Sequence, residues 1–275
     1  MQTLTGKVAV VTGAASGLGR AMALRFAREG MYLVLADVEQ APLEAVAAEL
    51  RADGHDPLAM VTDVLRRADV ATLAEASYQR FGRVHVLCNN AGVVKRARAW
   101  DLTTDDWTWV LGVDLWGVIH GLQEFVPRMI AAGEEGHVVN TGSMSGLLPI
   151  PNLAAYATAK AAVVALSEAL YLDFSAERLR LGVSVLCPGF IATGATRSER
   201  NRPASLADSA APRPVPRTSA GVEPTMDADE VAGHVVKAIL AGDFWILTHL
   251  AYRDHIRQRA GDIGAGGRPQ PPPIW

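Results

Sequence analysis

Short, nearly continuous apolar runs alternate along this chain with longer stretches whose apolar positions recur at helical spacing. The short runs predict strands at Val8–Val11, Tyr32–Ala36, Pro57–Val61, Val84–Cys88, His137–Asn140, Gly182–Cys187 and Phe244–Leu247. The longer stretches predict helices at Leu18–Glu29, Ala41–Ala52, Arg67–Arg80, Thr104–Ala132, Leu153–Glu177 and Asp227–Ala241. Strands that are apolar on both faces belong inside a parallel sheet. Strand–helix alternation joins such strands by right-handed crossovers. The expected architecture is α/β, a doubly wound parallel sheet of about seven strands with helices on both faces. No internal repeat is visible.

Two segments break the pattern. Residues 195–225 carry five prolines (203, 212, 214, 216, 224) and few apolar residues. A loop that long in a compact domain is usually functional or disordered. The Gly/Pro-rich tail 261–275, "GDIGAGGRPQPPPIW", is expected to favour extended polyproline geometry. Its last residues, Ile274-Trp275, are unusual for a solvated end.

Composition narrows the class. The 275 residues are 49% apolar and 20% charged, with a net charge of −3. That balance fits a soluble globular protein and argues against nucleic acid, which demands a basic face. No apolar run approaches the roughly 18 residues of a membrane span, and "MQTLTGKVAVVTG" has none of the parts of a signal peptide. Cys88 and Cys187 lie in apolar strand runs and read as buried free thiols of a reducing compartment, so the expected location is cytoplasmic. The seven histidines show no metal-ligand spacing. The basic run Lys95–Arg98 reads as a solvated loop. Trp107 and Trp109 read as packing residues behind a helix start at Thr103, with Asp106 three residues on.

Chemistry enters at the first strand–helix junction. "VVTGAASGLGRAMAL" places Gly13, Gly17 and Gly19 where a tight turn lets backbone approach a pyrophosphate, and the helix N-terminus adds free N–H groups. Twenty residues past Gly17, the second strand ends at Asp37. A carboxylate there accepts hydrogen bonds from both adenosine ribose hydroxyls and repels a 2′-phosphate, so NAD(H) is expected over NADP(H). Farther on, "AAYATAKAA" sets Tyr156 and Lys160 one helical turn apart on a surface of methyl groups.

The spacing TGxxxGxG (Thr12, Gly13, Gly17, Gly19) followed by YxxxK (Tyr156, Lys160) resembles the short-chain dehydrogenase/reductase family. Further motifs fall in family order: Asp63-Val64, Asn89–Gly92 ("NNAG"), Asn140–Ser143 ("NTGS") and Pro188–Thr193 ("PGFIAT"). The resemblance runs from Gly6 to about Leu247. It implies one domain over 1–260, a variable substrate lid at 195–225, and a homodimer or homotetramer. It also implies a cofactor cradle of Gly13, Ser16, Gly17, Leu18, Gly19, Asp37, Asp63, Val64, Asn90, Ala91, Gly92, Tyr156, Lys160, Pro188, Gly189, Ile191 and Thr193.

The chemistry expected of such a site is alcohol oxidation or carbonyl reduction. A phenol is too weak an acid to serve as a base near neutrality, and a neighbouring cation lowers its pKa. Tyr156 is thus the expected acid/base, tuned by Lys160, while Ser143 holds the substrate oxygen as charge develops there. Met144, Leu147, Leu148, Asn152 and Phe190 are the expected substrate lining. They favour a hydrophobic or aromatic secondary alcohol or ketone. The runner-up is a 3-hydroxyacyl or 3-oxoacyl thioester, and the non-enzymatic alternative is a dinucleotide sensor. One position departs from the family: Asp114 stands where an asparagine is usual, at a helix irregularity beside the lysine's proton relay. If the backbone carbonyl serves that relay, Asp114 is expected to substitute for the asparagine; if the side-chain amide serves it, a carboxylate is expected to alter the relay and to pull on Lys160.

Overall fold

The computed structural model describes residues 1–191, 193–207 and 226–270. Its strands are β1 (Val8–Thr12), β2 (Tyr32–Asp37), β3 (Leu58–Val61), β4 (Val86–Asn89), β5 (Gly136–Thr141), β6 (Leu181–Cys187) and β7 (Trp245–Leu247). All pair in parallel, in the order β3-β2-β1-β4-β5-β6-β7. The order reverses between β1 and β4, and the C-terminal edge beside such a reversal is where ligands bind in open α/β sheets.

Helices α1 (Gly17–Arg28), α2 (Gln40–Ala52) and α8 (Ala228–Ala241) cover one face. The other face is covered by α3 (Arg67–Phe81), α4 (Thr104–Leu111), α5 (Gly117–Ala132) and α7 (Ala154–Ala176). Central strands β1 and β4 are buried throughout. This two-sided burial explains their unbroken apolar runs.

Three features depart from the pattern reading. The helix that the periodicity predicts over Thr104–Ala132 is interrupted by a π-helical turn at Gly112–Trp116, the irregularity that the resemblance implies at Asp114; there the Gly117 N–H donates to the Gly112 carbonyl five residues back. A short helix α6 (Met144–Leu147) follows β5, capped by the Ser143 hydroxyl, which accepts from the Ser145 N–H at 3.1 Å. Helix α9 (Tyr252–Gly264) was not expected, and it takes in the first four residues of the tail read as polyproline. Its sequence is mostly polar and exposed, so it carries no clear apolar stripe, and one buried residue, Tyr252, anchors it.

The segment 193–207 forms short 3₁₀ turns, Gly194–Asn201 and Ala204–Leu206. The rest of the expected lid, 208–225, and the tail's end, 271–275, lie outside the described residues, as does Ala192. The start of α4 follows its sequence signature. The Thr103 hydroxyl accepts from the Asp106 N–H at 3.1 Å, and the Thr103 N–H donates to the Asp106 carboxylate at 2.9 Å.

Candidate active site

A cleft of about 790 Å³ runs along the C-terminal edge of the sheet. At its base lies the glycine turn. Gly13 has φ +68°, and a Cβ on Gly19 would fall 2.0 Å from the Gly13 carbonyl oxygen. No side chain fits there, so the backbone lies open where α1 begins. Thr12 ties this turn to the loop after β4, its hydroxyl accepting from the N–H groups of Asn90 (2.9 Å) and Ala91 (3.1 Å). The Asn90 side-chain amide donates back to the Thr12 carbonyl at 3.0 Å.

Asp37 closes β2 at one end of the cleft. Its two oxygens accept from the backbone of Ala15 (2.9 Å) and Glu39 (3.0 Å). Burial pushes its carboxyl above the ordinary value, against those two hydrogen bonds. Each oxygen keeps a lone pair for a ligand hydroxyl. Asp63, Val64 and Leu65 line the adjoining wall. His120 donates from Nδ1 to the Val64 carbonyl at 2.9 Å and so fixes that wall.

Ser143, Tyr156 and Lys160 converge at the other end. Ser143 stands just beyond β5, while Tyr156 and Lys160 share the first turns of α7. The Lys160 ammonium lies 5.7 Å from the centre of the Tyr156 ring and donates to the Thr141 carbonyl at 3.0 Å. Burial pushes the Tyr156 phenol above its ordinary value. Lys160 pulls it down, Asp114 pushes it up, and the Ser143 hydroxyl bonds to it and favours the phenolate. The expectation that Lys160 lowers this phenol holds for its direction of pull, but desolvation is the larger effect. Asp114 is fully buried on the π-helical turn. Its Oδ1 accepts from the Val93 N–H at 2.7 Å, and its Oδ2 lies 3.4 Å from Lys160 Nζ.

Of the expected cradle, Gly13, Ser16, Gly17, Leu18, Asp37, Asp63, Val64, Asn90, Ala91, Gly92, Pro188, Gly189, Ile191 and Thr193 line the cleft. Gly19 shapes the turn from beneath. Of the expected substrate residues, Met144 and Phe190 line it. Leu147, Leu148 and Asn152 do not. Leu148 is 4% exposed and packs into a core cluster with Val164, Val185 and Tyr252, because α6 turns its C-terminal end away from the opening. Asn152 holds φ +65° and spends its carbonyl on the Ala97 N–H at 3.1 Å, a loop-shaping role.

Other lining residues carried no sequence signal. Arg202 stacks its guanidinium 4.4 Å above the Trp109 ring and pairs with Asp106 and with Glu199. Lys95 joins the same cluster, 3.4 Å from Asp106 and 3.0 Å from Glu199, so the basic run is partly tied into the packing behind Arg202. Burial opposes ionisation of Asp106, but the Thr103 N–H and Arg202 outweigh it and hold the carboxyl below its usual range. Among the described residues no cluster could hold a metal ion, and no helix is long and apolar enough to cross a membrane.

Fold and cleft together define a Rossmann-type dinucleotide-binding domain. The family profile described as short chain dehydrogenase matches residues 7–204. A crystal structure of a short-chain dehydrogenase/reductase from Burkholderia phymatum in complex with NAD superimposes with a TM-score of 0.94, at 40% identity over 99% of both chains. The 1-deoxy-11-beta-hydroxypentalenate dehydrogenase of Streptomyces avermitilis is 34% identical over 94% of this chain and 91% of its own length. The CLA biosynthesis dehydrogenase/reductase of Lactiplantibacillus plantarum is 30% identical over 98% of this chain and 97% of its own. The chain belongs to the short-chain dehydrogenase family and is an oxidoreductase of that family.

Proposed function

We propose that this protein interconverts a secondary alcohol and its ketone using NAD(H), with Tyr156 as acid/base, Lys160 as its electrostatic partner and Ser143 as holder of the substrate oxygen. The observation that carries this reading is the convergence of those three side chains at one end of a cleft whose other end presents the Asp37 carboxylate. The glycine turn and Asp37 fit a dinucleotide without a 2′-phosphate. The turn offers backbone where a Cβ cannot stand, and the carboxylate repels a further anion. NAD in the similar B. phymatum structure supports that choice.

Bound NAD+ would supply the hydride acceptor and a positive charge. The protein does the rest. Ser143 fixes the hydroxyl oxygen, Tyr156 takes its proton, and Lys160 favours the phenolate. The lining by Val93, Val94, Met144, Leu153 and Phe190 favours an apolar substrate, as does a relative named for a hydroxypentalenate. Homo-oligomerisation belongs to the same reading. It is supported by Tyr171 and Trp245, which stay exposed beside Phe244 at the β7 edge, and by the exposed Leu172 next in the chain to Tyr171. The buried thiols Cys88 and Cys187 support a reducing, cytoplasmic setting.

The test is NAD+ reduction across a panel running from small aliphatic to polycyclic secondary alcohols and 3-hydroxyacyl thioesters, with NADP+ and Tyr156→Phe in parallel. Turnover with NAD+ that falls at least about a hundredfold in the Phe variant, with NADH binding retained, is the expected result. Turnover that survives Tyr156→Phe overturns the assignment. Silence across the panel despite tight NADH binding favours a sensing role.

A further inference from the structure

Asp114 and Lys160 form an ion pair sealed in the protein: the aspartate side chain is 0% exposed and the lysine 3%. The pair joins the π-helical turn to α7. Gly92 lies over it, so close that a Cβ there would come within 3.4 Å of the ammonium and 3.6 Å of the carboxylate. Asp114 Oδ1 is satisfied by the Val93 N–H, whereas Oδ2 makes no hydrogen bond of good geometry and lies 3.4 Å from the ammonium. An asparagine could accept the same Val93 hydrogen bond. The carboxylate adds a negative charge 3.4 Å from the lysine.

That charge changes what Tyr156 feels. A lone ammonium acts on its surroundings as a monopole. Paired with a carboxylate it acts as a short dipole, whose field falls off faster with distance. The groups facing Tyr156 are Lys160 on its own helix, Asp114 from the π-helical turn, the Ser143 hydroxyl beyond β5 and the Cys187 thiol at the end of β6. Burial pushes that thiol up to about 12, so it is neutral. Burial pushes the Asp114 carboxyl up, while Lys160 and the Val93 N–H pull it down, so the balance at the phenol turns on one cation and on the charge that this carboxyl keeps beside it.

We propose that Asp114 is a positioning residue, the fixed counter-ion of Lys160, which keeps Tyr156 a phenol in the cofactor-free site and leaves its phenolate to form only when a further positive charge enters the cleft. The inference rests on the reading of Tyr156 as acid/base, but its first test does not use turnover. The consequence is a coupling: the protein releases a proton as the oxidised cofactor binds and not before, so the base is protected until it is needed.

The experiment is an ultraviolet absorbance titration of tyrosine ionisation in the cofactor-free protein. The difference between the parent and Tyr156→Phe isolates Tyr156. The same difference is taken in an Asp114→Asn background. The expected result is a parent midpoint above that of an ordinary tyrosine, falling by about one pH unit or more with Asp114→Asn. The rising limb of kcat/KM for alcohol oxidation moves to lower pH in the same variant, a shift that a purely structural role would not give. An unmoved midpoint in a variant with parent-like melting overturns the proposal.

Should Asp114→Asn not fold, infrared spectroscopy of the parent with an isotope label confined to Asp114 decides. A buried ionised carboxylate at neutral pH upholds the counter-ion, and a protonated acid overturns it. A midpoint that moves as expected beside a silent alcohol panel would sink the catalytic reading and leave the electrostatic one standing.

Discussion

Arg200 and Glu39 grip each other across the mouth of the cleft. The guanidinium donates from Nε and Nη2 to the two carboxylate oxygens, at 2.9 and 2.6 Å. Glu39 follows β2 and Arg200 follows β6, strands separated in the sheet by β1, β4 and β5. The pair therefore bridges the ends of three strands, above the place where a dinucleotide would lie. Asn201 adds a hydrogen bond to Glu39 at 3.1 Å, and the Ser198 hydroxyl both accepts from and donates to the Val94 backbone.

This bridge predicts a faster exit for the cofactor when it is cut. Both partners are partly exposed, so the pair contributes no more than about 1 kcal/mol. Arg200→Ala is expected to speed NADH release by about two- to fivefold. Stopped-flow fluorescence should show the difference shrinking as salt rises. Equal release rates at low salt would mean that the bridge does not retain the cofactor.

Asp37 predicts cofactor choice. Replacing it with serine removes the repulsion of a 2′-phosphate and one acceptor for the ribose. The ratio of NADPH to NADH dissociation constants should fall by at least about tenfold, a change of about 1.4 kcal/mol in relative affinity. Fluorescence titration of both reduced cofactors reads it directly.

Gly19 predicts an all-or-none effect. A methyl group there meets the Gly13 carbonyl at 2.0 Å, well inside contact distance. Gly19→Ala is expected to abolish NADH binding while circular dichroism still reports a folded sheet. Retained tight binding would show that the turn can yield.

His137 predicts acid sensitivity. Its ring is buried beneath β6, where Ser184 spends its hydroxyl proton on the Asp243 carbonyl at 2.6 Å. His137 Nε2 must then donate to Ser184, at 2.7 Å, so the ring is the neutral Nε2–H tautomer. Burial lowers its pKa from 6.5 to about 4. The unfolded chain binds the extra proton between those values, so stability is full above about pH 6.5 and is lost as pH falls towards 4. The loss amounts to about 3 kcal/mol in all. Urea unfolding at several pH values should show this slope in the parent, reduced in His137→Gln by about 1.4 kcal/mol per pH unit.

The sequence made the sheet legible because strands buried on both faces leave no polar alternation. It made Gly13, Asp37, Tyr156 and Lys160 legible because each belongs to a short-range pattern, a turn, a strand end or one turn of helix. It could not show Arg202 against Asp106 or Arg200 against Glu39. These partners lie 96 and 161 residues apart, and each sits in a segment that reads as ordinary polar loop or cap. Leu148 misled for the opposite reason. Its apolar character was plain, but the direction of a four-residue helix was not, and that helix points it into the core. Helix α9 stayed hidden because so little of it is buried, although Tyr252 and His249 back the Gly189 turn of the cleft.

The π-helical turn at Gly112–Trp116 holds one residue more than an α-helix would need to cover the same rise. Deleting a residue there would give the chain a more regular helix. It would also rotate one flank against the other by roughly 100°. Either Asp114 would leave Lys160, or α5 would lose the close packing of Gly121 on Asn89. The site can therefore accept exchanges of side chains along this helix far more readily than a change in its length: what is fixed there is a count of residues, and Asp114 occupies a place that the count creates.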